Sequence, residues 1–251
     1  MKKRILIFIG ILMLVVVLIL TYNFSYFKYL QWKYDSTHQN PKINQASEID
    51  NLFKSLKIIP FKELPEAIKS STHSDQAIYK KLLAKEQYLV LSRDDLMKRV
   101  VRDYRLADFV SHDKMFYKVL NTNSLYYTCI KPDILKVFLM LLIRCEEKGY
   151  DINEITLRSG HRHPARNYLI GGASQSRHLF GDAIDIGVSD INNDGKANAF
   201  DKELILNLLE NELIGNKGGI GLYPNTKAVH FDLRGHKARW NSYTPAFKKK
   251  N

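Results

Sequence analysis

The sequence predicts an α+β domain, a small and mostly antiparallel sheet flanked by helices, behind an N-terminal transmembrane helix. Three observations predict it. The chain opens with an uninterrupted apolar run from Ile5 to Leu20. One helix, Pro132 to Lys148, is apolar nearly all round between Ile134 and Ile143 and reads as a core element. Around it, short strands and helices alternate with brief connections, the order of a compact mixed fold.

Lys2, Lys3 and Arg4 precede the apolar run, and Thr21 and Tyr22 extend it to nearly the ~20 residues that span a bilayer. Tyr22, Phe24, Tyr26, Phe27 and Trp32 follow, as an aromatic belt does at the far interface. Large residues stand where a small-x-small cleavage site is needed, and no Cys follows the run. An uncleaved signal anchor over residues 1–22 is therefore favoured over a cleaved signal peptide. The positive flank stays in the cytoplasm, so the rest of the chain is expected outside the cytoplasmic membrane, on the periplasmic or cell-wall side.

Residues 23–110 are polar and mixed, and read as a stalk and a helical prelude. Helical patterns cover Ile49 to Leu56, Ala77 to Ala84 and Asp94 to Tyr104, with a strand at Tyr88 to Leu91. From 111 to 245 apolar residues are denser. Pro132 and Asp133 open the core helix and Gly149 closes it. Lys136 interrupts its apolar surface, and the ten residues 134–143 are too few to span a bilayer. A strand over Glu154 to Arg158, a short helix from Pro164, a helix over Asp201 to Leu213 and a strand over Ala228 to Leu233 complete the domain. Residues 246–251 form a basic tail.

The formal net charge of the 251 residues is +12, with no basic run interleaved with aromatics. That argues for an anionic wall or membrane as neighbour and against a nucleic-acid platform. Cys129 and Cys145 flank the core helix, on the order of 20 Å apart at 1.5 Å rise per residue. A disulfide needs Cα atoms within about 7 Å, so no bridge is expected between them. With no Cys pair at zinc spacing, any metal site must use His and carboxylates.

The stretch Ser176 to Asp185, SRHLFGDAID, sets His178 and Asp185 seven residues apart. A strand would put them on opposite faces, so the chain must bend, and Gly181 is the place. Beyond it, Ala183 and Asp185 share one strand face while Ile184 and Ile186 take the core face. Downstream, in Ala228 to Asp232, alternation puts His230 and Asp232 on one face. Two histidines and a carboxylate give zinc three protein ligands and leave a fourth position open, the catalytic pattern.

The pattern S-x-H-x-x-G-x-A-x-D followed by V-H-x-D resembles the M15 family of zinc D-Ala-D-Ala carboxypeptidases and dipeptidases, which includes peptidoglycan-cleaving endolysins and shares its metal site with the Hedgehog signalling domain. Leu157 to Pro164 resembles the family's S-G-Y-R-S-P segment, with His161 for Tyr and His163 for Ser. Gly218 to Pro224 resembles the glycine-rich lead-in to the last ligand strand. The resemblance covers roughly residues 130–241. It implies that His178, Asp185 and His230 bind zinc, that Arg162 contacts substrate or stabilises the oxyanion, and that Ser176 helps hold the substrate backbone. Many members carry a Glu three residues before the last His; here that residue is Lys227, which cannot accept a proton while charged. Asp232 becomes the best general-base candidate, and is equally a candidate to orient His230; His161 and His163 are further base candidates. Arg158 and Arg177 read as solvated cations, Arg177 also as a possible substrate contact, and His38, His73, His112 and His236 fit no pattern.

Asp190 to Asp201 matches the twelve-residue spacing of a calcium loop. Asp190, Asn192, Asp194, Asn198 and Asp201 supply side-chain oxygens, Lys196 a backbone carbonyl, and Gly195 the sharp turn at position six. An Asp/Asn/Gly turn without an ion has the same composition. The expectation is an isolated, structural Ca2+ site.

Together these readings predict a membrane-anchored Zn2+ peptidase acting on peptidoglycan peptides. The alternatives are a non-catalytic zinc-containing domain that binds wall peptides or a protein, and a calcium-dependent scaffold.

Overall fold

The computed structural model describes residues 2–69, 76–223 and 226–241; within these, the side chains of most of residues 2–20 and of 23, 67, 76–78, 114 and 241 lie outside the description. The basic tail, His73, Pro224 and the last residues of the expected 111–245 domain lie outside the described residues. The chain divides into two compact units, Met1–Pro41 and Lys42–Asn251.

The first unit holds one helix, α1 (Lys2–Thr37). It continues past the expected span at residue 22, and carries a stacked Tyr22–Tyr26 pair one turn apart, with ring centroids 6.2 Å apart. Among the described residues, no helix is long and apolar enough to cross a membrane. The transmembrane expectation rests on the apolar side chains of residues 5–20, which lie mostly outside the described set, and it finds no support in the rest.

The second unit contains, in chain order, α2 (Ala46–Ser55), β1 (Lys57–Pro60), α3 (Glu66–Lys69), α4 (Gln76–Leu83), β2 (Gln87–Leu91), α5 (Arg93–Met97), β3 (Arg99–Val101), β4 (Tyr104–Arg105), α6 (Lys114–Asn121), β5 (Tyr126–Thr128) and α7 (Pro132–Glu147). Then follow β6 (Ile155–Ser159), α8 (Pro164–Leu169), β7 (Ala183–Val188), α9 (Ala199–Leu208), β8 (Gly219–Leu222), β9 (Ala228–Asp232) and β10 (Ala238–Asn241). The fold is α+β with small sheets. The main sheet has the order β10-β8-β9-β7-β6, antiparallel except for the parallel β10–β8 pair. A second sheet, β1-β2-β5, is antiparallel, and β3-β4 is a two-stranded ribbon.

Residues 42–110, expected within a stalk and prelude, lie inside the larger unit. Their polar composition conceals a sparse apolar stripe: Ile49 and Phe53 of α2 are buried, and α2 packs on α7. Lys136, which interrupts the apolar surface of α7, reaches Asp50 of α2 at 2.6 Å. The helix expected over Asp94 to Tyr104 is corrected to α5 and the β3-β4 ribbon. Ser92 caps α5, its Oγ accepting from the Asp95 amide at 3.1 Å. After Met97 the β-branched pair Val100-Val101 takes the extended backbone it favours, and Arg102, at φ 50°, turns the chain back.

The core lies between α7 and one face of the main sheet. Ile134, Leu135, Phe138, Leu139 and Leu142 of α7 are buried, as are Ile184, Ile186, Ile220, Val229 and Phe231 of the strands. The Phe138 ring stands 6.5 Å from Phe231 and 6.0 Å from Phe109. Each buried side chain of this size contributes about 1.5–3 kcal/mol. Cys129 and Cys145 are both buried and free. With Ile184, Ile186 and Phe231 committed to the core, strand alternation turns Ala183, Asp185, His230 and Asp232 to the opposite face.

Candidate metal centre

One lateral row of that face crosses all five strands. Cross-strand pairing sets Trp240 of β10 beside Gly221 of β8, Gly221 beside His230 of β9, His230 beside Asp185 of β7, and Asp185 beside Ser159 of β6. The adjoining row sets Gly219 beside Asp232 and Asp232 beside Ala183. The small residues make room. A Cβ on Gly219 would stand 2.4 Å from Asp232 Oδ2, and one on Gly221 2.4 Å from the Trp240 ring.

His178 arrives from outside the sheet, on the 3-10 turn Arg177–Phe180. Gly181 ends that turn at φ 67°, and a Cβ there would lie 1.9 Å from the Cys129 carbonyl oxygen. The bend read from the sequence thus needs glycine for two reasons, its conformation and its close approach to backbone. Gly160 is equally confined, against the Phe109 carbonyl. The Arg162 amide donates to the His178 carbonyl at 3.0 Å, joining the turn to the segment after β6.

These elements bring His178, Asp185 and His230 together, with one donor atom of each within 4.8 Å of the others. It is the one such group among the described residues. Asp185 Oδ1 lies 3.1 Å from His178 Nε2 and 2.7 Å from His230 Nδ1, and the two ring nitrogens are 3.2 Å apart. Donors around a tetrahedral zinc at bond lengths of ~2.0–2.1 Å stand about 3.3 Å apart, close to this spacing. The remaining ring nitrogens are engaged elsewhere. His178 Nδ1 donates to the Gly160 carbonyl at 2.7 Å, and His230 Nε2 donates to Asp232 Oδ2 at 3.0 Å. Each contact fixes the tautomer that turns a lone pair toward the cluster. The residues present fit a divalent metal.

Burial alone would raise the Asp185 carboxyl, but His178 and His230 outweigh it and hold it well below the ordinary carboxylate range. Burial pulls the His178 imidazole down, toward the neutral form that ligates. Burial opposes charge on His230 as well, but Asp185 and Asp232 reverse the effect and raise it.

Arg162 lies at the edge of the cluster. Its Nη2 contacts Asp185 Oδ2 and stands 3.2 Å from His178 Nε2, while its Nε donates to Ser159 Oγ at 2.8 Å. Ser176 precedes the His178 turn, half-buried, and its hydroxyl makes no capping bond. Asp232 is fully buried and meets the ring nitrogen of His230 that faces away from Asp185. Its Oδ1 accepts from the Gly219 amide at 3.1 Å and from Arg234 Nε at 2.8 Å, and Arg234 Nη2 holds Oδ2. Burial raises the Asp232 carboxyl, yet Arg234 and His230 prevail and keep it far below the ordinary range.

Lys227, at the position where many members carry Glu, is exposed and donates to Ser189 Oγ at 2.9 Å. His163 lies between Asp113 Oδ2, at 3.0 Å, and the Tyr127 carbonyl, at 2.8 Å. His161 is 1% exposed, and burial pushes it well below the usual histidine range. Arg177 pairs with Asp182 and lies over the Phe180 ring at 4.6 Å. Arg158 is exposed.

Three residues at the centre had no role in the sequence reading. Trp240 packs on His230, ring centroids 5.1 Å apart, and lies 4.9 Å from the Arg234 guanidinium. Arg234 holds Asp232. Tyr223, one residue past β8, is half-buried, hydrogen-bonded to Trp240 and close enough for the Asp185 and Arg162 charges to act on its phenol. The D-x-R spacing of Asp232 and Arg234 on one face was the available signal. Trp240 had none, because its place depends on a parallel pairing with β8.

In the Asp190 to Asp201 loop the oxygens turn onto the chain itself. Asp190 accepts from the Asp194 and Gly195 amides, at 3.1 and 2.8 Å. Asn192 accepts from the Asp194 amide and Asp194 from the Lys196 amide, at 3.1 and 2.9 Å. Asn198 caps α9, and buried Asp201 accepts from the Ile191 amide at 3.0 Å. Gly195 makes the turn at φ 81°. Among the described residues Asp190, Asp194 and Asp201 form no carboxylate cluster.

Fold and site thus define a class, an α+β domain with a three-donor candidate metal centre on the open face of its sheet. Residues 119–232 match the family model described as Peptidase M15. Over that segment the chain is similar to M15 peptidases. No curated protein and no solved structure matches the chain.

Proposed function

We propose that the chain is a zinc-dependent peptidase that hydrolyses peptidoglycan stem peptides, as a D-Ala-D-Ala carboxypeptidase or a cross-link endopeptidase. The observation that carries this reading is the convergence of His178, Asp185 and His230, with Arg162 at their edge, inside the segment similar to M15 peptidases. A zinc ion held there supplies a polarising charge for the peptide carbonyl and lowers the pKa of a water. His178 Nε2, His230 Nδ1 and an Asp185 oxygen would hold it. Arg162, fixed by Ser159, complements the negative charge that develops on the carbonyl oxygen. Asp232 keeps the His230 proton on Nε2, and its bonds to Arg234 and Gly219 support this orienting role over that of general base.

The test is to incubate the full-length, zinc-loaded protein with muropeptides and identify the products by mass spectrometry. Loss of a terminal D-Ala, or of a cross-link, supports the reading. Zinc retained without cleavage supports a non-catalytic zinc-containing domain that binds wall peptides or a protein. One observation favours that second reading: neither Lys227 nor Asp232 offers a free proton acceptor.

The Ile5 to Leu20 run and the net charge of +12 support attachment to the cytoplasmic membrane through the N-terminal segment, with the domain outside it. Recovery of the protein in the soluble fraction alone would count against this. The loop spacing supports a structural Ca2+ at Asp190 to Asp201. An unchanged melting temperature on adding calcium to metal-free protein would count against that.

A further inference from the structure

Both glycines of β8 face the candidate centre, Gly221 opposite His230 and Gly219 opposite Asp232. Continuing the alternation past Leu222 makes Tyr223 the first side chain on that face, after two positions that carry none. Its backbone is held by the Thr226 hydroxyl, which donates to the Tyr223 carbonyl at 2.9 Å. Its phenol is hydrogen-bonded to Trp240, whose ring is packed on His230.

The direction of that hydrogen bond is fixed by chemistry. An indole N–H only donates, so the phenol oxygen accepts. The phenol proton is left over, on a group within electrostatic reach of Asp185 and Arg162. Arg162 approaches from the β6 side, through Ser159. Tyr223 approaches from the β8 side, so the two donors flank the donor set from opposite ends of the row.

We propose that Tyr223 is a catalytic residue, a neutral hydroxyl that donates a hydrogen bond to the reacting carbonyl oxygen across the centre from Arg162, with Trp240 as its positioning residue. The proposal rests on the zinc peptidase reading and deepens it. One donor is a fixed cation and the other a neutral O–H aimed by an indole, and both gain strength as negative charge gathers on the oxygen. No proton need leave Tyr223 for this, so the role asks nothing of the missing glutamate.

The test compares full-length, zinc-loaded wild type with Tyr223→Phe by two readouts: turnover of a muropeptide, and calorimetric affinity for a phosphinate dipeptide, whose tetrahedral anion mimics the transition state. Tyr223→Phe is expected to lower kcat on the order of 10²-fold with KM nearly unchanged, and to weaken phosphinate binding by at least about tenfold. Zinc content and melting temperature should stay at the wild-type value. Trp240→Phe, which removes the indole N–H, should show a smaller loss in kcat. Wild-type phosphinate affinity and turnover in Tyr223→Phe would overturn the proposal and leave the peptidase reading intact. A wild-type protein that holds zinc yet neither binds the phosphinate nor cleaves would overturn the peptidase reading, and the proposal with it.

Discussion

Asp185 and His230 are direct partners across the β7–β9 ladder, with Asp185 Oδ1 2.7 Å from His230 Nδ1. Antiparallel register alone therefore sets two of the three donor residues side by side, and only His178 must be brought in by a turn. His178→Ala removes the one donor that the sheet does not position. Elemental mass spectrometry is expected to find about one zinc per wild-type chain, as one closed donor set requires, and next to none in the variant. Equal zinc in both would exclude His178 as a ligand.

Asp232→Asn separates an orienting carboxylate from a general base. If Asp232 only orients His230, the variant should bind zinc about 10–100-fold more weakly, measured by competition with a chelator, and regain turnover when zinc is saturating. Unchanged zinc affinity with turnover abolished at saturation would restore the general-base assignment.

Gly181→Ala forces a Cβ onto a residue at φ 67° and into the Cys129 carbonyl. The left-handed backbone costs about 1–2 kcal/mol for a residue with a Cβ, and the steric conflict adds to it. The variant should lose roughly 2 kcal/mol or more in urea denaturation. A stability loss below half of that would mean that the His178 turn yields easily.

Asp113 gives the fold an acid-sensitive contact. Burial works to raise its carboxyl, but the hydrogen bonds from His163 and from the Met115 and Phe116 amides prevail and hold it below the ordinary carboxylate range. A carboxyl depressed in the folded state contributes stability that is present above its unfolded value and lost as pH falls through the folded one. Asp113→Asn should therefore be less stable than wild type at pH 7, with the difference shrinking in acid. A gap that stays constant with pH would assign it to shape and not to charge.

What could be read from the sequence was local. The interval between His178 and Asp185 contains its own bend at Gly181, and the alternation of His230 and Asp232 needs only one strand. The glycines of β8 were visible as a pattern, but their purpose was not: Gly219 and Gly221 leave space for Asp232, Arg234 and Trp240, which come from β9, the segment after it and β10. Trp240 reaches the site only because β10 returns parallel to β8, a non-local pairing with no spacing signature. The helices near 49–56 and 77–84 and the strand at 88–91 were legible, but between 94 and 104 the reading failed for a related reason. Val100 and Val101 are extended against Tyr104 and Arg105, and an Asp-rich start with regularly placed apolar residues concealed that ribbon behind a helical pattern.

The parallel strand β10 has a further bearing on where this domain stops. The family match closes at Asp232, with all three donor residues already in place. A fragment cut there would retain the three candidate donor residues and shed Arg234 and Trp240, and with them the clamp on Asp232 and the wall against His230. Such a fragment is expected to bind zinc loosely and to present a centre open on its β8 flank, so the boundary drawn by kinship and the boundary needed for a working cavity differ by the length of one edge strand.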